Sequence, residues 1–173
     1  LSDGVCDVIN KMIDLKPEEL HKFSTTTHDA SNSGIIYTGR ILSVMREHDS
    51  TSILRSCDPI NASDRYDATD NTSLKFRSKT NPGYYILNQK IFTVPVSAGS
   101  DNDAVVTQVT YDTGLAYTDS SIDNFPTEYE YLVPMYAAIK SLEAKMAEYT
   151  IDEEDIELVQ AIAFNLNSLK QQY

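Results

Sequence analysis

The sequence has no tryptophan, only two cysteines, and six glycines that nowhere cluster. Scattered glycine excludes a phosphate-cradling loop, and GxxxxGK[ST], GxGxxG and GxSxG are all missing. Cys6 and Cys57 lack the further Cys or His at ligand spacing that a metal knuckle or disulfide framework needs, and both read as free thiols. His21, His28 and His48 sit in polar surroundings with no HExxH or HxH spacing, which makes them surface residues rather than metal ligands. No apolar run approaches the roughly 20 residues that span a bilayer, and the opening LSDGVCDVINKM lacks the basic start and apolar run of a signal peptide. No membrane association is expected. Leu1 is not a methionine, so the gene product is expected to begin upstream. Basic side chains are scarce: Lys and Arg number 14 against 26 Asp and Glu, a net charge of -12. Tight nucleic-acid binding draws its affinity from neutralised phosphates, so this chain is not expected to grip DNA or RNA. An acidic wall would still let a duplex slide past without capture. With no nucleophile and base, carboxylate dyad or phosphate loop visible locally, neither catalysis nor a cofactor or metal is expected.

What is present suits a folded protein. A hydrophobic fraction of 41% and a charged fraction of 23% over 173 residues can bury one core, and a single domain over 1–173 is expected. Residues 2–22 read as a helix that Ser2 or Asp3 can cap, with Val5, Val8, Ile9, Met12 and Ile13 on one face; Pro17 then opens a short second helix, PEELHKF. STTTHDASNS (24–33) offers little to bury and reads as a loop. SGIIYTGRILSVMRE suggests two strands joined by a tight turn at Thr38-Gly39, with the glycine at positive φ. Residues 57–72 read as loop with one helical turn. Asp58, Asp64, Asp67 and Asp70 there are spaced like loose oxygen ligands, but no register supplies an EF-hand set, so a solvated loop is favoured.

SLKF (73–76), GYYILNQKIFTVPV (83–96) and AVVTQVTYD (104–112) continue the β region. The middle segment forms a hairpin about Asn88-Gln89 that Pro95 ends, and the last is a strand with one buried face. Four to six antiparallel strands are expected. The eleven tyrosines invite a sugar-stacking role, yet Tyr84 and Tyr85 follow a strand pattern and Tyr129, Tyr131 and Tyr136 a helix pattern.

Further on, Thr127 and Glu130 form a T-x-x-E capping box behind Phe125 and Pro126, marking a helix start. Leu132, Met135, Tyr136, Ile139, Leu142 and Met146 give that helix its apolar stripe, and Pro134 is expected to bend it. Thr150 and Glu153 make a second box, with the acidic residues 152–155 in the first turn where they favour the helix dipole. The final helix carries Ile151, Ile156, Val159, Ile162, Leu166 and Leu169, broadened by Leu158, Ala161 and Phe164. That is more apolar circumference than a surface helix needs, which fits either a buried core or a partner interface. The expected class is α+β: N- and C-terminal helices (1–33 and 124–173) forming a small bundle, with an inserted antiparallel, sandwich-like β region at 34–123.

The order NPGYYIL, KIFTVPVSAGS and VTYDTGLAYTDSSIDNFPTEYEYLVPMYAAIKSL resembles a family of tailed-bacteriophage head-to-tail connector proteins. The shared elements are a strand ending in V-x-P (Val94, Pro95), a tyrosine-containing strand (Val109 to Tyr111), and a helix opened by F-P-x-E and running L-V-x-x-Y-A-A. In this chain the helix elements are Phe125, Pro126, Glu128, Leu132, Val133, Tyr136, Ala137 and Ala138, and the resemblance covers roughly residues 34–146. It implies a non-catalytic virion protein at the head-tail junction, assembled in the host cytoplasm. The implied form is a twelve-fold adaptor ring docked under the portal, joined to tail or nozzle proteins, with DNA passing through its channel. It further implies portal or neighbour contacts at Phe164, Leu166, Leu169 and Tyr173. A different virion component is the alternative: a stopper, tail or decoration protein, with carbohydrate binding as one role.

Overall fold

The computed structural model describes residues 1–48, 53–96, 103–112, 114–116, 118–119, 121–151 and 156–173. Helices at the two ends of the chain and two β-sheets between them make an α+β protein. The chain divides into two compact units: a helical unit of residues 1–23 and 111–173, and a β unit of residues 24–110.

In the helical unit, α1 (Ser2–Leu15) buries Val5, Val8, Ile9 and Met12, the spacing that places them on one face. Leu1 takes the N-cap position without a side-chain bond, so neither Ser2 nor Asp3 caps the helix as expected. Gly4 lets α1 approach closely, since a Cβ there would stand 3.0 Å from the Val133 carbonyl oxygen. Pro17 opens a 3-10 helix, Pro17–Phe23, as its fixed φ and missing N–H favour, and this turn buries Leu20 and Phe23.

The next helix, α2, runs Leu132–Ile151 and begins beyond the expected start at Phe125, Pro126, Thr127 and Glu130. Those four residues form turns instead, with the Glu130 N–H on the Thr127 carbonyl at 3.4 Å. Phe125 meets Phe23 edge-on, ring centroids 5.1 Å apart. The late start changes the role of Pro134. It occupies the first turn of α2, where an N–H would be unsatisfied anyway, and the Glu130 carbonyl accepts from Val133 at 3.2 Å. The bend expected from a mid-helix proline has no cause here. The last helix, α3 (Ile156–Gln172), packs on α2, and Lys170 bridges to Glu143 at 2.8 Å. Thr150 of the second capping box falls within α2, while its expected partner Glu153 and the acidic run 152–155 lie outside the described residues.

The β unit holds eight strands among the described residues, more than the four to six expected. They are β1 (Ser24–Asp29), β2 (Ile35–Ile36), β3 (Ile41–Glu47), β4 (Leu54–Ser56), β5 (Asp58–Pro59), β6 (Gly83–Leu87), β7 (Lys90–Val94) and β8 (Ala104–Val109). One sheet has the order β1-β8-β3-β4 and the other β2-β7-β6-β5. All pairings are antiparallel except β5 with β6, which is parallel. Ile35 and Ile91 of one sheet cluster with Val44, Ala104 and Val106 of the other and with Cys57, so the sheets bury a common core between them.

Residues 24–29, expected as loop, are the edge strand β1. Its threonines are β-branched and pair across the ladder, Thr26 Oγ1 with Thr107 Oγ1 at 3.0 Å and Thr25 with Thr110. The pairing runs from Ser24 opposite Val109 to Asp29 opposite Ala104. The hairpin expected about Thr38-Gly39 does not form, because β2 and β3 belong to different sheets. Gly34, not Gly39, carries the positive φ, at 81°. It follows the carboxylate of Asp29, which accepts from the Ser31 and Gly34 N–H groups at 2.9 and 2.8 Å and closes the β1–β2 connection. SLKF (73–76) forms turns rather than a strand. The hairpin at Asn88-Gln89 is present, with φ of 51° and 58° giving the mirror-image turn that suits strand twist. The strand β8 is buried on both faces, not one.

Candidate interaction surfaces

No reactive constellation assembles among the described residues. Cys57 is buried beside the β core, and burial pushes its thiol up to about 12, far from a thiolate at neutral pH. Burial and then the Asp3 charge raise Cys6 as well. His21 Nδ1 lies 2.9 Å from the Glu18 carbonyl, and His28 Nδ1 lies 4.0 Å from Asp103. No group of three or more His, Cys, Asp or Glu is placed to hold a metal among the described residues, and none of their helices is long and apolar enough to cross a membrane. Three of the four aspartates that resembled calcium ligands are engaged elsewhere: Asp58 with Arg77 at 2.9 Å, Asp64 with Lys75 at 2.8 Å, and Asp70 with the Thr72 N–H at 2.9 Å.

Two long polar side chains buried in the β unit, Gln108 and Arg46, are spent on holding backbone. Gln108 of β8 donates Nε2–H to the Ile36 carbonyl at 2.6 Å and accepts the Thr38 N–H on Oε1 at 3.1 Å. One amide thereby fixes the segment that leads from one sheet to the other. Arg46, 1% exposed, donates to the carbonyls of Pro95 and Glu47 at 2.8 and 2.7 Å, which anchors the chain after β7. Tyr85 stacks on Phe92 at 5.4 Å within the β6–β7 hairpin. This accounts for part of the tyrosine content without a ligand.

The four residues expected to contact the portal or a neighbour have different fates. Leu166 is 4% exposed and belongs to the core of the helical unit. Leu169 is half-buried. Tyr173 is turned inward: its hydroxyl donates to Asp7 at 2.6 Å, Lys11 lies 3.6 Å over its ring, and Tyr136 stands 6.0 Å away. Burial and then the bond to Asp7 raise its phenol above the ordinary range. Phe164 alone points out, 74% exposed, with Leu158 also exposed on α3. Two of the four therefore serve the fold of the helical unit, and one stands free on its surface.

Near the start of α2, Tyr129 stacks on Phe23 at 5.8 Å and donates its hydroxyl to Glu19 at 2.6 Å, while Lys22 reaches Glu128 at 2.6 Å and Glu19 at 3.1 Å. The bonds from Tyr129 and then Lys22 hold the Glu19 carboxyl down at about 2. This cluster was not legible beforehand, because residues 19–23 and 128–129 lie more than a hundred positions apart and the F-P-x-E pattern that contains Glu128 says nothing of its partner. No protein-family model matches the chain, and no characterised protein matches its sequence.

Proposed function

We propose that this chain is a virion structural protein, an adaptor that assembles as a ring under the portal and joins the capsid to the tail. The observation that carries the reading is α3: it buries Leu166 inward yet leaves Phe164 and Leu158 exposed. An exposed aromatic and a leucine on one helix are the material from which a subunit contact is built. The α+β architecture, with helices from both chain ends and a β region between them, supports the reading through the resemblance stated above. The net charge of -12 supports it on electrostatic grounds, since a ring of such subunits lines its channel with like charge that packaged DNA passes without being held. Chemistry has no part in this role. Binding, docking and exclusion of phosphate suffice.

The test is native mass by sedimentation or light scattering, with and without a purified portal complex. An assembly heavier than the 19.4 kDa chain, formed alone or on the portal, is expected. A monomer indifferent to the portal would remove the assignment. A channel surface that proved basic would remove the electrostatic part alone.

A further inference from the structure

Between β5 and β6 the chain makes a long excursion of turns. The segment from 57 to 82 is braced by its own hydrogen bonds and ion pairs. Ala68, 1% exposed, accepts the Arg77 N–H at 2.9 Å and donates its own N–H to Asp64 at 2.9 Å. Asp70 accepts both the N–H and the hydroxyl of Thr72, at 2.9 and 2.8 Å. On this braced loop Leu74 is fully exposed, and Tyr66 and Phe76 are exposed beside it in sequence. An ordered loop that holds out a leucine loses little further entropy when something covers it.

The charge of this loop sets it apart from the rest of the chain. Asp64 pairs with Lys75 and Asp58 with Arg77, while Asp67 and Asp70 are balanced by Arg65 and Lys79. The segment is therefore neutral, and the whole -12 resides elsewhere. Two copies of so acidic a chain repel wherever their charged surfaces meet, and a neutral apolar patch is where they can touch without that cost. The same unit holds a recess of about 490 Å³, its apolar walls from Phe76, Pro95 and Val96 and its polar ones including Thr69, Arg77 and Lys79. That volume admits a leucine side chain. Leu74 is not among the groove's walls, so among the described residues the knob of one copy does not fill its own groove.

We infer that Leu74 of one copy seats in the Phe76, Pro95 and Val96 groove of a second copy of this chain, an inference that deepens the ring reading and rests on it. Knob and groove are different residues, so the contact can repeat head-to-tail from copy to copy, as ring closure requires, while a reciprocal pairing would stop at a two-fold dimer.

Sedimentation velocity on the full chain tests this with wild type, L74E, V96E and an equimolar mixture of the two variants. Each variant alone is expected to associate at least about tenfold more weakly, from the lost leucine contact or the charge placed in the groove. The mixture is expected to restore a two-chain species, because L74E keeps its groove and V96E keeps its knob. T69E replaces V96E should the latter unfold by circular dichroism. If L74E assembles as wild type does, the inference is overturned and the ring reading stands. Weakened variants that do not complement each other also overturn it, since the knob then meets something other than the groove. If wild type stays at 19.4 kDa at every concentration the inference falls, and binding to purified portal then decides the ring reading separately.

Discussion

Replacing Leu166 and Phe164 one at a time by alanine separates what folds α3 from what α3 offers to a partner. Leu166 is 4% exposed in the helical unit, so its truncation removes buried methyl groups and leaves a cavity. The cost is about 2–5 kcal/mol, and at ~2–4 °C per kcal/mol for a chain of this size the melting temperature should fall by roughly 4–20 °C. Phe164, 74% exposed, loses almost nothing in the isolated chain, and its truncation should change stability by no more than about 0.5 kcal/mol. On assembly the order reverses. A phenylalanine presents on the order of 200 Å², and covering three quarters of it is worth ~3–4 kcal/mol at about 25 cal/mol per Å². Association of Phe164→Ala should therefore weaken by roughly 30-fold or more. Thermal unfolding by circular dichroism at low concentration reads the first effect, and sedimentation over a concentration series reads the second. A melting temperature for Phe164→Ala as low as that of Leu166→Ala would place Phe164 in the core and refute the reasoning. Unchanged assembly of Phe164→Ala would remove the outer face of α3 as a contact.

Three further outcomes are expected. Gly34→Ala places a Cβ 2.7 Å from two carbons of the Phe92 ring at a φ of 81°, and should lower the urea midpoint by the equivalent of about 1–3 kcal/mol; an unchanged midpoint would mean the β1–β2 connection adapts freely. Glu19 titrates at about 2 when folded and near its ordinary 4.5 when unfolded, so its contribution to stability is complete above pH 4.5 and lost as pH falls toward 2. Tyr129→Phe should return that carboxyl toward 4.5 in an NMR titration, and a value still near 2 would assign the effect to Lys22. Cys57 should resist iodoacetamide at pH 8 until the protein unfolds while Cys6, less deeply placed, reacts first; equal rates in the native protein would contradict the burial of Cys57.

The parts of this fold that were legible in the sequence are those whose signal is local. Val5, Val8, Ile9 and Met12 announce α1 by spacing, Pro17 announces the turn after it, and Asn88-Gln89 between two β-branched runs announces the β6–β7 hairpin. The strand β1 was not legible, because a threonine-rich edge strand buries little and its partner β8 lies some eighty positions away. Thr127 and Glu130 made a well-formed capping box that the chain does not use for that purpose. Pairing of Phe125 and Tyr129 with Phe23 holds the segment in turns until Leu132, a tertiary demand that overrides the local signal. The apolar stripe of α3 was plain, but periodicity cannot say which of its residues face inward. Leu166 and Tyr173 do, and Phe164 does not.

The β1–β8 ladder sets Ser24, the first residue of the β unit, opposite Val109, one short of its last. A strand pair brings such Cα atoms to about 5 Å, so the unit's entrance and exit share a doorway. A segment joined this way is a cassette. It can be lifted out and its two ends bridged by a short turn, or exchanged for another of different length, with the chain on either side still meeting at the same place. In a lineage whose partners change, new docking loops could then be acquired by replacing 24–110 wholesale, while the residues that hold the helices together were left untouched.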